Sequence, residues 1–371
     1  MKKLTLLLLA FVALGAQAQI SIEMINQYPF DRENQIVEVK ASEIGALKAD
    51  QYVLRDESNQ EVPYQLIYDG KTTVQSIVFP VTIKTGTKVV YTLNAGKPAP
   101  VTPLTHARQV PERKDDFAWE NDIAAYRMYG PALAKENPSN GVDLWLKRTS
   151  ELVVDSFYFG DLNMGRSYHV DHGKGLDCYK VGNTLGAGGV GAYTDTTLWV
   201  GTHYNSFKVL ENGPLRSVFV LTYDTLKVKG KKYKQTLKIT VDAGAVMNKA
   251  EVKLEGPAQN MQLATGIYLH DPDSKVQKNT VMMLLAEKAV SDAGVDQGQN
   301  YVAVVIPEKG EFVNQDSHAL LLSDYKVGTD FSYYFGGGWN KWKFPTLKEW
   351  LAAVQQHNKQ EKYPLKITVV K

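Results

Sequence analysis

The segment YHVDHGKGLDCY, residues 168–179, places two imidazoles, two carboxylates and two phenols within twelve positions. These groups can accept and donate protons near neutral pH or bind a metal. An extended backbone would send His169 and Asp171 to one face and Tyr168, Val170 and His172 to the other, so only a loop or bulge could gather them. His169, Asp171 and His172 supply metal-ligand atoms, but their spacing matches no zinc signature and further ligands would have to come from elsewhere. The simpler reading is a polar loop whose turn is made by Gly173 and Gly175. Sites commonly sit on such loops above rigid sheets, which keeps the chemical reading in play.

Three further stretches compete with it. WENDIAAYRMYG brings Glu120, Asp122 and Arg127 into one hairpin. Two carboxylates about 5–9.5 Å apart can serve glycoside hydrolysis, although Asp122 also suits the hairpin turn itself. Arg127, among apolar and aromatic neighbours, must pair with an internal carboxylate or an anionic ligand, and the internal partner is the simpler choice. FGGGWNKWKF, residues 335–344, sets Trp339 and Trp342 behind three glycines; exposed indoles on a mobile loop would stack on sugar rings. GAGGVG, residues 186–191, fits the dinucleotide pattern by letter only. AYTDTTLWV after it is strand-like where a helix is required, so no nucleotide cofactor is expected. A flexible loop, or one that lets a ligand approach the backbone, is expected there. Cys178, the only cysteine, reads as an inert buried thiol that can form no internal disulfide.

The elements that must position these groups are mostly strands. Residues 1–18 have a basic start, an apolar run from Leu4 to Leu14 and Ala16-Gln17-Ala18, the pattern of a cleaved signal peptide. A periplasmic or secreted protein starting at Gln19 is therefore expected. Losing Lys2 and Lys3 with the leader takes the formal charge from +2 to zero, which argues against nucleic acid or anionic lipid as a partner. No membrane span is apparent. Residues 19–95 run as short β-branched and aromatic stretches between turn compositions, a small β-sandwich. Residues 96–115 carry four prolines and read as a linker. Residues 116–371 are again strand-rich, with DLWLKR, ELVVDSFYF and RSVFVLTYDTLKV among the candidates, and suggest a large antiparallel two-sheet sandwich. TLKEWLAAVQQH departs from that habit. Its Thr346–Glu349 capping box and its apolar spacing predict a C-terminal helix before a last strand, YPLKITVV.

FAWENDIAAYRMYGPAL, YHVDHGKGLDCYKVGNTLGAGG and YYFGGGWNKWKFPT together resemble an uncharacterised exported Bacteroidota family. Its genes lie in polysaccharide-utilisation loci near enzymes acting on uronate-rich glycans. That family looks like the galactose-mutarotase-like supersandwich, a carbohydrate-handling fold. The resemblance places Trp119, Glu120, Arg127, Tyr129, His169, Asp171, His172, Asp177 and Tyr179 in the family pattern, and it carries over no assigned catalytic residue. It implies an oligosaccharide or polysaccharide substrate, with a divalent metal left open. β-Elimination on uronates would then use His169 or His172 as base and Tyr168 or Tyr179 as acid. Arg127 would clamp the carboxylate, and Trp119, Tyr129, Trp339 and Trp342 would line the substrate. Hydrolysis through Glu120 and Asp177, epimerisation, or carbohydrate binding without catalysis are the alternatives.

Overall fold

The computed structural model describes residues 19–136 and 138–371; the expected leader, residues 1–18, lies outside them. The chain is built mostly of antiparallel strands, with one long C-terminal helix. The small N-terminal unit comprises β1 (Ile20–Ile25), β2 (Arg32–Lys40), the one-turn helix α1 (Ala41–Ile44), β3 (Tyr52–Arg55), β4 (Gln65–Ile67), β5 (Ser76–Ile83) and β6 (Lys88–Ala95). The order β2–β5–β4 makes one of its layers, and Ile22, Leu54, Phe79 and Leu93 fill its core.

Next come β7 (Thr105–Val110), β8 (Asp116–Asn121), β9 (Ala124–Met128), β10 (Asp143–Lys147), helix α2 (Val154–Met164) and β11 (Gly175–Asp177), which pair in the order β11–β10–β9–β8–β7. The stretch expected as linker thus contains β7, a full strand of the larger unit. A second five-stranded sheet contains β12 (Ala187–Thr194) and β13 (Thr197–Trp199). After β14 (Ser206–Asn212), β15 (Arg216–Val228), β16 (Lys231–Asp242) and β17 (Asn248–Glu255), it takes in β18 (Asn260–Tyr268) as well. The chain continues through β19 (Gln277–Lys278), β20 (Met282–Val290), β21 (Asp296–Val305), β22 (Glu311–Gln315), β23 (His318–Lys326) and β24 (Asp330–Trp339). Strands β22 and β23 complete the second sheet, and the remaining strands form an eight-stranded sheet, β14–β15–β16–β17–β24–β21–β20–β19. A parallel bridge between Val142 and Gly186 joins the two five-stranded sheets into one layer. That layer closes on the eight-stranded sheet over a core that includes Trp119, Tyr126, Phe219 and Phe335.

Two helices cover outer faces. Helix α3 (Leu347–Lys362) has the expected capping box, with the Thr346 hydroxyl accepting from the Glu349 N–H, and its Trp350 stacks on Tyr301 at 6.1 Å. The last strand, β25 (Lys366–Val370), does not stay with the large sandwich. It pairs antiparallel with β1 and completes the sheet β25–β1–β6–β3 of the small unit. The expected division at residue 116 therefore fails at the C-terminus, where the chain returns to its start.

Three local expectations are overturned. ELVVDSFYF is not a strand: from Val154 on it is α2, whose C-cap Gly165 takes φ +63°. GAGGVG is not a loop but the start of buried β12, paired with β18. At Gly188, with φ +117°, a Cβ would stand 2.5 Å from the Cβ of Phe335 in the facing sheet, so the glycine permits close sheet packing. The glycines of FGGGW likewise lie in β24, where a Cβ on Gly337 would strike Leu144 and one on Gly338 would strike Phe344.

Candidate functional site

Strand alternation explains why the first five-stranded sheet carries charge on its outer face. Phe117, Trp119, Tyr126, Leu144 and Leu146 point into the sandwich. Their neighbours Asp116, Glu120, Arg127, Asp143, Trp145, Lys147 and Asp177 must then point the other way. Antiparallel pairing sets Arg127 opposite Asp143, and Trp145 opposite Asp177. Helix α2 and the 165–174 loop close over this face, packing Val154, Tyr158 and Tyr168 against Trp145.

Two polar clusters result. In the first, the Lys147 ammonium lies 2.7 Å from Glu120 Oε2, with both side chains fully buried. The Glu120 carboxylate also accepts the N–H groups of Val153 and Val154 at 2.8 Å. A residue 33 positions before Val153 therefore caps α2, which has no local side-chain cap. In the second cluster, Arg127 donates to Asp143 Oδ2 (2.9 Å from Nε), Asp177 Oδ2 (2.9 Å from Nη2), Asp116 Oδ2 (3.4 Å from Nη1) and the Tyr168 hydroxyl (3.2 Å). Its guanidinium faces the rings of Tyr129, Trp145 and Tyr168 at 4.8–5.7 Å. Burial pushes the Asp116 carboxyl up to about 6 against the pull of Arg127. It raises Asp177 well above the usual carboxylate range, with Asp143 adding to the effect.

The second cluster reaches solvent at His169. This side chain is 35% exposed. Its Nδ1 lies 3.1 Å from the Asp177 carbonyl oxygen, 3.6 Å from Asp177 Oδ2 and 3.8 Å from Asp292 Oδ2. A carbonyl can only accept, so Nδ1 carries a hydrogen, which leaves Nε2 as the acceptor nitrogen of the neutral ring. Nε2 has no hydrogen-bond partner among the described residues. Lys180, 3.9 Å from Asp292, links this position to a small cleft of about 180 Å³ lined by Cys178, Tyr179, Lys180, His270 and Lys288. His270 is held by Glu287 (2.8 Å) and by the Lys180 carbonyl (2.8 Å). Tyr179 meets it edge-on, and the Tyr179 hydroxyl has no partner among the described residues. Burial raises that phenol well above its ordinary range and pushes the Cys178 thiol up to about 12, which keeps the thiol protonated.

The structure brings Arg127, Tyr129, Tyr168, His169, Asp177 and Tyr179 to one region and separates other expected residues from it. Arg127 spends its donors on internal carboxylates, so it is not a clamp for a ligand's carboxylate. Glu120 is a helix cap and Asp177 an arginine partner, so neither serves as a free hydrolytic acid or base. Tyr168 is 3% exposed, and its hydroxyl accepts from both Arg127 and Arg113. His172 is exposed and turned to the Ser167 carbonyl, while Asp171 accepts from the N–H groups of Gly173 and Gly175. His169, Asp171 and His172 therefore do not converge as metal ligands, and the described residues contain no group of three or more His, Cys, Asp or Glu placed to hold a metal. Trp119 is fully buried and donates to Asn248, and Trp339 is buried and donates to the Gln297 carbonyl. Neither indole can stack on a sugar. Trp342 is half-buried, and Tyr129 keeps a partly open edge. Sequence reasoning missed Asp116, Asp143, Trp145 and Tyr158; the alternation in DFAWEN and DLWLK marks the first three, whereas Tyr158 shows only when α2 is recognised as a helix.

A family model described as "Domain of unknown function (DUF4861)" matches residues 24–367. A protein of Formosa agariphila called "Uncharacterized protein P7" is 27% identical over 289 residues, which cover 72% of this chain and 70% of that protein. Among solved structures, a protein in the Glycosyl Hydrolase Family 38 from Enterococcus faecalis is similar in fold, with a TM-score of 0.51 at 9% identity over 95% of this chain. The chain spans about half the length of that structure, 47%. Among the described residues, no helix is long and apolar enough to cross a membrane.

Proposed function

The chain belongs to the DUF4861 family, and from that premise we propose an exported carbohydrate-active enzyme that moves a proton on an acidic oligosaccharide. One observation carries the reading: the half-exposed His169 has an Nε2 without a partner among the described residues, while its Nδ1 is held 3.1 Å from the Asp177 backbone carbonyl. An imidazole whose Nδ1–H is fixed by a backbone carbonyl and whose other nitrogen is free can act as a general base, with the exposed Asp292 carboxylate 3.8 Å from Nδ1 to favour the imidazolium that forms. The likeness of fold to a glycosyl hydrolase supports the carbohydrate part by analogy alone. Lys180 and Lys288 at the cleft replace Arg127 as the cations for a uronate carboxylate.

In this reading the substrate is cleaved by β-elimination. The proton on the carbon bearing the carboxylate passes to His169 Nε2. Its electron pair forms a double bond to the neighbouring carbon, and the glycosidic C–O bond there breaks. The leaving oxygen takes a proton from solvent water at the open cleft. Incubation with uronate oligosaccharides tests the product chemistry. Elimination gives ultraviolet absorbance from a conjugated double bond together with a new reducing end. A reducing end without absorbance would overturn elimination in favour of hydrolysis, and neither signal would remove the enzymatic reading.

A further inference from the structure

A larger groove, about 600 Å³, lies on the opposite side of the large sandwich, between its eight-stranded sheet, the small unit and α3. Its floor is the outer face of β15–β17, where Lys238 pairs with Glu251 and Thr240 with Lys249 across strands. The small unit contributes the walls. Its Glu38 accepts from Arg216 Nη1 at 2.5 Å, its Asp69 meets Lys238 at 3.1 Å, and its Gln65 side chain binds the backbone of Leu215 and Arg216. Helix α3 closes the far end with His357 and Glu361, the latter accepting from the Tyr334 hydroxyl at 2.5 Å.

The charge of this groove differs from that of the His169 cleft. Its cations are already paired: Arg216 with both oxygens of Asp242 as well as with Glu38, Lys238 with Asp69, and Lys249 with Glu251 at 3.7 Å. Glu33 and Glu361 add carboxylates with no further cation in the lining, so the groove is net negative and repels an anionic ligand. Gln35, Gln360 and Thr240 offer donors and acceptors together, while the half-buried Ile36, Val246 and Ala353 offer apolar surface. Alternating apolar patches and bifunctional polar groups match a sugar ring, with its apolar faces and hydroxyl rim. His357 Nε2 is buried and has no hydrogen-bond partner among the described residues, and the imidazole is fixed edge-on against Tyr334 at 4.8 Å. An unpaired ring nitrogen in a polar groove of this size calls for a hydroxyl.

We infer that the groove between the small unit and the eight-stranded sheet is a second saccharide site, selective for neutral, hydroxyl-rich oligosaccharides and independent of His169. The small unit is then half of a binding site, and its hydrogen-bonded docking fixes the width of the groove. Calorimetric titration of the full chain with neutral hexo-oligosaccharides and with an oligouronate of equal length tests this. Neutral ligands bind, and His357→Ala or the groove-filling Thr240→Trp each weakens that binding by about tenfold or more. His169→Ala leaves it unchanged. Should His357→Ala fail to fold, Thr240→Trp alone carries the comparison. The inference is overturned if no neutral saccharide binds, if the folded variants bind like the parent, or if His169→Ala abolishes binding.

Discussion

Arg127 carries one positive charge among three buried carboxylates, so its removal leaves charges with neither water nor a counterion. Arg127→Met should cost about 3–5 kcal/mol in urea denaturation, the penalty for orphaning a buried ion. A loss within experimental error would mean that the aspartates are neutral or hydrated. Asp116 gives this cluster a pH signature. Its carboxyl rises from the usual 3.8 to about 6 in the folded chain, mainly through burial. Between those values the folded chain holds a proton that the unfolded chain has released, so the contribution of Asp116 is present below pH 4 and is lost as the pH rises through 6. Asp116→Asn should flatten that decline by about 3 kcal/mol between pH 4 and pH 7; parallel pH profiles for parent and variant would contradict it. At this scale the chain was partly legible. Arg127 inside an apolar strand announced an internal partner, and the 168–179 segment announced a polar site. That Asp116, Asp143 and Asp177 meet on one guanidinium was hidden, because a strand shows which residues share a face but not what lies above it.

Helix α2 is the element on which the site depends, and its stability is written elsewhere. Leu152-Val153-Val154 is apolar with two β-branched valines, so the local sequence reads as strand, and the only local end signal is Gly165. The cap comes from Glu120, whose buried pairing with Lys147 no spacing rule reveals. Glu120→Ala should therefore cost about 3–5 kcal/mol, leaving the Lys147 ammonium and two N–H groups without partners. Glu120→Gln combined with Lys147→Met should recover most of that loss. Equal instability of single and double variants in a double-mutant cycle would show that the pair is not the cause. The glycine-rich stretches make the complementary point: GAGGVG and FGGGW suggest loops by composition, yet they are strands kept thin so that facing layers can close. Gly188→Ala must push against Phe335 at a positive φ, and a melting temperature equal to the parent's would contradict that packing.

At the level of the whole molecule, β25 ties the end of the described chain to its beginning. The two-sandwich β architecture and the capped C-terminal helix followed from composition, alternation and the Thr346–Glu349 box. The return of β25 did not, since a five-residue strand carries no mark of its partner. Deleting residues 364–371 should leave β1 as an unpaired edge and speed hydrogen exchange across Ile20–Ile25, with β24 and α3 unchanged. Unaltered exchange in β1 would mean that the small unit is complete without its C-terminal strand. Such a result would also loosen the case for a fixed groove wall.

His169, whose Nδ1 is held by the Asp177 carbonyl, is the group proposed to take the proton. Turnover of a uronate oligosaccharide by the parent, His169→Ala and His172→Ala, each checked for an unchanged melting temperature, addresses that role most directly. The account predicts a fall of about two to four decades for His169→Ala and activity near the parent's for His172→Ala. Full turnover by His169→Ala, or equal losses in both variants, would contradict it.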